Sequence, residues 1–94
     1  MGGPRIQWDE DKAEANRRKH GVDFFEATEV LLDPLAVTIE DRRHTTPTER
    51  RVTIIGMSRR GWLLRVTVAQ GSAIIKLISA RRATARERHD YEEG

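Results

Sequence analysis

The amino-acid pattern predicts an α+β fold, with two N-terminal helices and one C-terminal helix packed on an antiparallel sheet. Three observations lead there. Acidic or hydroxyl residues stand where helices begin, at Asp9-Glu10-Asp11, at Asp23-x-x-Glu26 and at Thr84-x-x-Glu87. After Leu35 the apolar period drops from that of a helix to that of a strand. Turn signals then divide the chain into short runs, giving the order β-αα-ββββ-α. At 94 residues the chain is expected to form one domain, residues 1–94.

Each element has its own reason. Ile6-Gln7-Trp8 is a short apolar start. Residues 9–20 contain few breakers, begin with three acids where a first helical turn favours them, and stop at Gly21. This helix is polar almost all round, so capping and propensity predict it more than core packing does. A second helix opens at Asp23. Phe24, Ala27 and Leu31 share one face, with Phe25 and Leu32 beside them, and are expected to pack; Asp33-Pro34 ends it. Residues 35–39 form a first core strand, and the polar residues 41–50, with one proline, are expected to be a long mobile loop. Residues 51–57 and 62–68 are strands joined by a turn at 58–61. In the latter strand Leu64, Val66 and Val68 face the core, while Leu63, Arg65 and Thr67 face the wetter side. A turn at 70–72 leads to the last strand, residues 73–78.

Composition excludes several classes. With no cysteine there is neither a disulfide framework nor a thiolate metal site. His20, His44 and His89 are widely spaced, so no metal and no cofactor are expected. No apolar run approaches membrane-spanning length, and the beginning Met1-Gly2-Gly3-Pro4-Arg5 lacks an apolar signal core. Pro4 and the lack of Ser or Thr at position 6 also argue against myristoylation. The chain reads as soluble and cytoplasmic, without a membrane partner. Its net charge of +2 hides a division. Residues 1–41 carry five Lys/Arg against ten Asp/Glu, and residues 42–94 carry twelve against five. The basic half suits a polyanion, and its charge is almost all arginine, whose planar fork fits phosphate bidentately.

The most telling stretch follows the last strand. Arg81 and Arg82 stand between an apolar strand and a capped helix start, where positive charge and unpaired backbone N–H groups would meet a phosphate. Two solvated loop arginines are the plainer reading of the same pattern.

With these pieces together, the chain resembles the BrnT family of toxins from bacterial type II toxin–antitoxin systems. The likeness rests on Trp8-Asp9-Glu10, Asn16-Arg17-Arg18-Lys19-His20-Gly21-Val22, Phe25-Glu26-Ala27 and Asp33-Pro34-Leu35-Ala36. It continues through Arg50, Ile55-Gly56-Met57-Ser58 and Gly61-Trp62-Leu63-Leu64. It ends in a block running from Ile78-Ser79-Ala80-Arg81 through Ala83-Thr84 and Glu87-Arg88 to Tyr91. Trp62 stands where the family commonly has a basic residue, and Arg51 where an aromatic or apolar one is usual. The resemblance implies a fold similar to the RelE-like ribonucleases and metal-independent RNA cleavage that arrests translation. It also implies a BrnA-like antitoxin that neutralises the toxin and carries the operator-DNA-binding element.

Metal-free RNA cleavage needs a base for the 2′-OH proton, cations for the phosphorane and an acid for the leaving 5′-oxygen, and leaves a 2′,3′-cyclic phosphate. His20 is the acid/base candidate, because histidine titrates near neutrality and a helix C-terminus favours its protonated form. Capping the last carbonyls of that helix is its structural alternative. Lys19 is placed to hold the scissile phosphate, and Arg81 and Arg82 to stabilise the transition state. Arg50, Arg59 and Arg60 are candidate RNA contacts, and Trp62 a candidate stacking surface for an unpaired base; packing within its strand is the commoner use of such a residue. Glu87 could act as a base, but its spacing from Thr84 gives it a sufficient capping role. Tyr91 is read as packing. The competing functions are a non-catalytic nucleic-acid-binding module, such as a repressor subunit, and a protein-interaction domain whose charged faces meet a partner.

Overall fold

The computed structural model describes residues 5–94; the N-terminal residues read above for targeting signals lie outside them apart from Arg5. The elements follow the expected order: β1 (Arg5–Gln7), α1 (Glu10–His20), α2 (Phe24–Val30), β2 (Val37–Thr46), β3 (Glu49–Met57), β4 (Leu63–Gln70), β5 (Ile74–Arg82) and α3 (Ala85–Glu93). The five strands form one sheet in the order β1-β5-β4-β3-β2. Three of its pairings are antiparallel, but β1 runs parallel to β5, which corrects the wholly antiparallel expectation. The long chain between β1 and β5 permits this direction, since a parallel pair needs a crossover that no hairpin supplies.

Capping fixes the helices where the spacing placed them. Asp9 accepts the N–H groups of Asp11 and Lys12 at 2.8 and 3.2 Å, and Gly21 closes α1 at φ 71°, a conformation that suits a residue without Cβ. Asp23 caps α2 by accepting the Phe25 N–H at 2.7 Å. At α3 both halves of the capping box are formed between Thr84 and Glu87.

The core lies on the helical face of the sheet. Val52 of β3, Leu64, Val66 and Val68 of β4, and Leu77 and Ala80 of β5 meet Val22, Phe24, Ala27 and Val30. Each Val, Leu or Phe side chain among them stabilises the fold by roughly 1.5–3 kcal/mol through burial. Gly56 is part of this fit: a Cβ there would stand 2.8 Å from Val30 Cγ1 and 3.2 Å from Ala36 Cβ. Buried Asn16 ties α1 to the sheet. Its amide donates to the carbonyls of Val22 (3.1 Å) and Ala80 (2.8 Å), and its oxygen accepts the Ala80 N–H (3.0 Å). It thereby completes a stretch of β5 that lies beyond the short β1.

Three expectations need correction. Residues 41–50 are not a mobile loop: β2 runs to Thr46 and turns at Pro47-Thr48 into β3. The ladder is irregular between Asp41 and Thr46, and side chains supply bonds there. The Asp41 carboxylate accepts the Arg43 N–H at 3.1 Å and contacts His44 Nδ1 at 2.7 Å, while Thr45 Oγ1 donates to the Asp41 carbonyl and accepts the Arg51 N–H. This bulge also breaks the regularity of the outer edge. Second, Phe25 and Leu32 do not pack as expected; they are 71% and 75% exposed, on the outward flank of the stripe formed by Phe24, Ala27 and Val30. Phe25 meets only the edge of Trp8, at 5.0 Å between ring centroids, among the aromatic contacts of the described residues. Third, β5 does not stop at residue 78.

Candidate active site

The extension of β5 changes the geometry of the arginine pair. Arg81 pairs with Arg65 and Arg82 with Leu64 in the β4 ladder, and the Ala83 N–H donates to the Leu63 carbonyl. The two arginines are therefore strand residues, not loop residues with free N–H groups. Consecutive strand side chains point to opposite faces, so they separate. Arg82 shares the helical face with Leu64 and Ala80. Arg81 lies on the other face, beside Arg65, in line with Ser79, Thr67 and Thr53. That second face, the open face, is covered in part by α3, which itself buries no residue.

Arg81 is held by Glu87. Nη1 and Nη2 donate to the two carboxylate oxygens at 2.9 Å each, and Arg65 Nε lies 3.1 Å from Glu87 Oε2. The Thr84 N–H completes the set at 2.9 Å. Burial pushes the Glu87 carboxyl up, but the Arg81 and Thr84 hydrogen bonds and both guanidinium charges outweigh it and hold its pKa below the ordinary value. Arg65 and Glu87 open into a cavity of about 430 Å³ with Ile39, Thr53 and Ile55 on the sheet side and Arg86 and Asp90 on α3.

Lys19 and His20 reach the same strand from α1. They line a cleft of about 250 Å³ with Ile78 and Ser79. Ser79 precedes Arg81 by two residues on one face, roughly 7 Å along a strand. His20 and Lys19 thus border β5 at Ser79, in a cleft separate from the cavity that Arg65 and Glu87 line.

The remaining candidates gather elsewhere. Arg60 grips Glu26 through Nε and Nη2, both at 2.8 Å, and Ser58 Oγ donates to the same carboxylate at 2.8 Å. The Arg60 hydrogen bonds and charge, with the Ser58 bond, hold the Glu26 carboxyl below its usual range against the effect of burial. The guanidiniums of Arg60 and Arg82 stand 3.3 and 4.1 Å from the Trp62 ring centroid. The indole is engaged in cation–π contact and partly packed against the core, so a base stacks there only by displacing a guanidinium. Arg59 is exposed on the turn, its N–H donating to Glu29 Oε1 at 2.9 Å. Arg50, at the far end of β3, pairs with Glu40 at 3.3 Å.

Sequence reasoning placed Arg65 on the wetter face without giving it a role. Its one local signal is that it is the only charged residue in β4, which does not show what it will meet. Asn16 and Asp33 were seen only as motif letters. Asp33 accepts the Met57 N–H at 2.8 Å, the Leu35 N–H at 2.9 Å and the Tyr91 hydroxyl at 2.7 Å, joining α3 to β3 and to the segment before β2. The Tyr91 hydroxyl is pushed up to about 12 by its bond to Asp33, with burial and the Asp33 charge adding to it.

Residues 8–87 match the family described as the ribonuclease toxin BrnT of type II toxin–antitoxin systems. The chain belongs to the BrnT toxin family. Among solved structures it is similar to the Brucella abortus ribonuclease toxin BrnT, at 28% identity and a TM-score of 0.64, over 86% of this chain and 97% of that one. No curated protein matches it by sequence. Membership makes this chain the toxin component of such a system, with a ribonuclease role and an antitoxin as partner. The BrnT match covers the whole candidate site, from Lys19 and His20 to Arg81 and Glu87. Among the described residues no helix is long and apolar enough to cross a membrane, and no group of three or more His, Cys, Asp or Glu side chains is arranged to hold a metal ion.

Proposed function

We propose that this chain is a metal-independent endoribonuclease whose reaction site lies on the open face of the sheet, along β5. The observation that carries this reading is the Arg81 guanidinium, held as a bidentate fork towards an anion on that face. His20 and Lys19 flank the same strand. A base removes the 2′-OH proton, O2′ bonds to phosphorus, and the P–O5′ bond breaks as an acid protonates O5′. The products are a 2′,3′-cyclic phosphate and a 5′-hydroxyl. His20 serves as the proton-transfer group, Lys19 holds the scissile phosphate, and Arg81 offsets the phosphorane charge.

Arg82, on the opposite face, has no part in this step. Together with Arg59, Arg60 and Trp62 it forms a basic margin that holds flanking RNA, and Arg50, at the far end of β3, adds a separate phosphate contact. The reading includes a single RelE-like domain acting in the cytoplasm, a BrnA-like antitoxin, and operator DNA bound only through the toxin–antitoxin complex. Exposed Phe25 and Leu32 on the flank of α2 supply apolar area suited to a protein partner.

The test incubates the purified chain with a defined single-stranded RNA in excess EDTA and analyses the product ends. Cyclic phosphate ends, absent with Arg81→Ala, support the reading. Intact RNA bound with a steep salt dependence would instead make the chain a non-catalytic nucleic-acid-binding module.

A further inference from the structure

Glu87 occupies a position suited to an external anion. Two guanidiniums and a backbone N–H converge on its carboxylate within 3.1 Å, a donor set that fits phosphate equally well. The charges do not cancel, since two cations face one carboxylate. The cluster is not sealed: Arg65 and Glu87 both border the cavity of about 430 Å³, which leaves room for the nucleoside attached to a phosphate. Its carrier is also lightly held. No residue of α3 is buried, so turning Glu87 away disturbs no core contact.

We propose that Arg65, Arg81 and the Thr84 N–H form the phosphate-binding site for the scissile phosphodiester, and that Glu87 is the resident anion which the substrate displaces. The proposal rests on the ribonuclease reading and extends it by one catalytic residue, Arg65, and one gate, Glu87. With Glu87 in place, the Arg81 fork is fully used. When a phosphodiester enters, its oxygens take over the donations from Arg81 and Thr84, and the released carboxylate returns to water. An RNA chain supplies neighbouring phosphates for the surrounding arginines, which a single carboxylate does not. The gate therefore favours a polyanion over small carboxylates.

The experiment measures binding of a fully 2′-O-methylated RNA oligonucleotide, which cannot be cleaved, alongside cleavage of the unmodified RNA. Glu87→Gln is expected to bind the methylated RNA about tenfold more tightly, as unmasking a charge pair does. Arg65→Lys is expected to lose cleavage by about a hundredfold, because an ammonium does not reproduce the planar fork. Thr84→Ala keeps the N–H and the charges but removes the other half of the capping box. Tightening by Thr84→Ala as large as that by Glu87→Gln would mean that a loosened α3 causes the effect, and would overturn the gate. Binding by Glu87→Gln that is unchanged or weaker, with an unchanged circular dichroism spectrum, overturns it as well. Unchanged binding with lost cleavage would make Glu87 a general base. If the unmodified chain binds RNA and never cleaves it, the ribonuclease reading fails, whereas the displacement of Glu87 is still judged by the binding data.

Discussion

The two faces of the sheet use arginine in opposite ways. On the helical face, Arg60 and Arg82 lie against Trp62, and Glu26 holds Arg60 with a bidentate bond. These cations extend an apolar core outwards, and their stems and π contacts close its margin. On the open face, Arg65 and Arg81 converge on Glu87 beside a cavity lined by Thr53 and Thr84 as well as Ile39 and Ile55. There the charge is available for exchange. Arg81 and Arg82 are adjacent in the chain, yet the strand period sends one to each environment. A charged residue's role here is decided by which side of a sheet it leaves.

This contrast can be broken most directly by the adjacent pair. Arg81→Ala is expected to lower RNA cleavage by roughly 10²–10³-fold, the usual loss when one charge-stabilising donor is removed. Arg82→Ala should change it by less than about threefold, as expected of a rim contact. Single-turnover cleavage of one RNA by both variants makes the comparison, and equal losses would erase the distinction between the faces.

Removal of the link between α1 and β5 should act on stability instead. Asn16→Ala strands the Ala80 N–H and two carbonyls, and is expected to cost about 2–4 kcal/mol in urea denaturation. A smaller cost follows from overpacking the helical face. Gly56→Ala forces Val30 and Ala36 to move and should lose about 1–3 kcal/mol, measured in the same way. A neutral result would mean that α2 is free to shift on the sheet.

The mildest test addresses how α3 is held over the open face. Tyr91 is the only tyrosine, so its phenolate absorbance reports one site. It should titrate near 12, and Asp33→Asn should bring it back towards the ordinary tyrosine value of 10.0. A raised folded-state pKa means that Tyr91 contributes its stability below pH 10 and loses it as pH rises through about 12. Asp33 behaves in the reverse sense. Burial raises its carboxyl, but bonds from Tyr91, Met57 and Leu35 together hold it below 3.8, so its contribution is present above pH 3.8 and vanishes as pH falls through the lowered value. Protection of the α3 amides, relative to their intrinsic exchange rate at each pH, should fall at both extremes.

Much of the architecture was legible because local signals coincide with the tertiary result. Asp9, Asp23 and Thr84 cap helices by bonds within three residues, and the turn at 58–61 closes through the Ser58 N–H to the Trp62 carbonyl at 2.9 Å. The bulged half of β2 was not legible, because Asp41 and Thr45 satisfy the backbone there with polar side chains that look like loop chemistry. Of the site, Arg81, Lys19 and His20 were readable as candidates. Arg65 was not, since nothing near it in the chain shows that it will meet Glu87. The same holds for Asp33 and Tyr91, which bond to each other from distant segments.

The amino-acid sequence alone determined the class, the order of elements, the helix ends and the imbalance between an acidic and a basic half. These depend on spacing, capping and composition, which act over a few residues. Tertiary structure alone decided the end of β5, the parallel pairing of β1, the separation of Arg81 from Arg82 and the meeting of two arginines on one carboxylate. Those outcomes depend on strand register, and register joins residues whose proximity exists only once the sheet has formed.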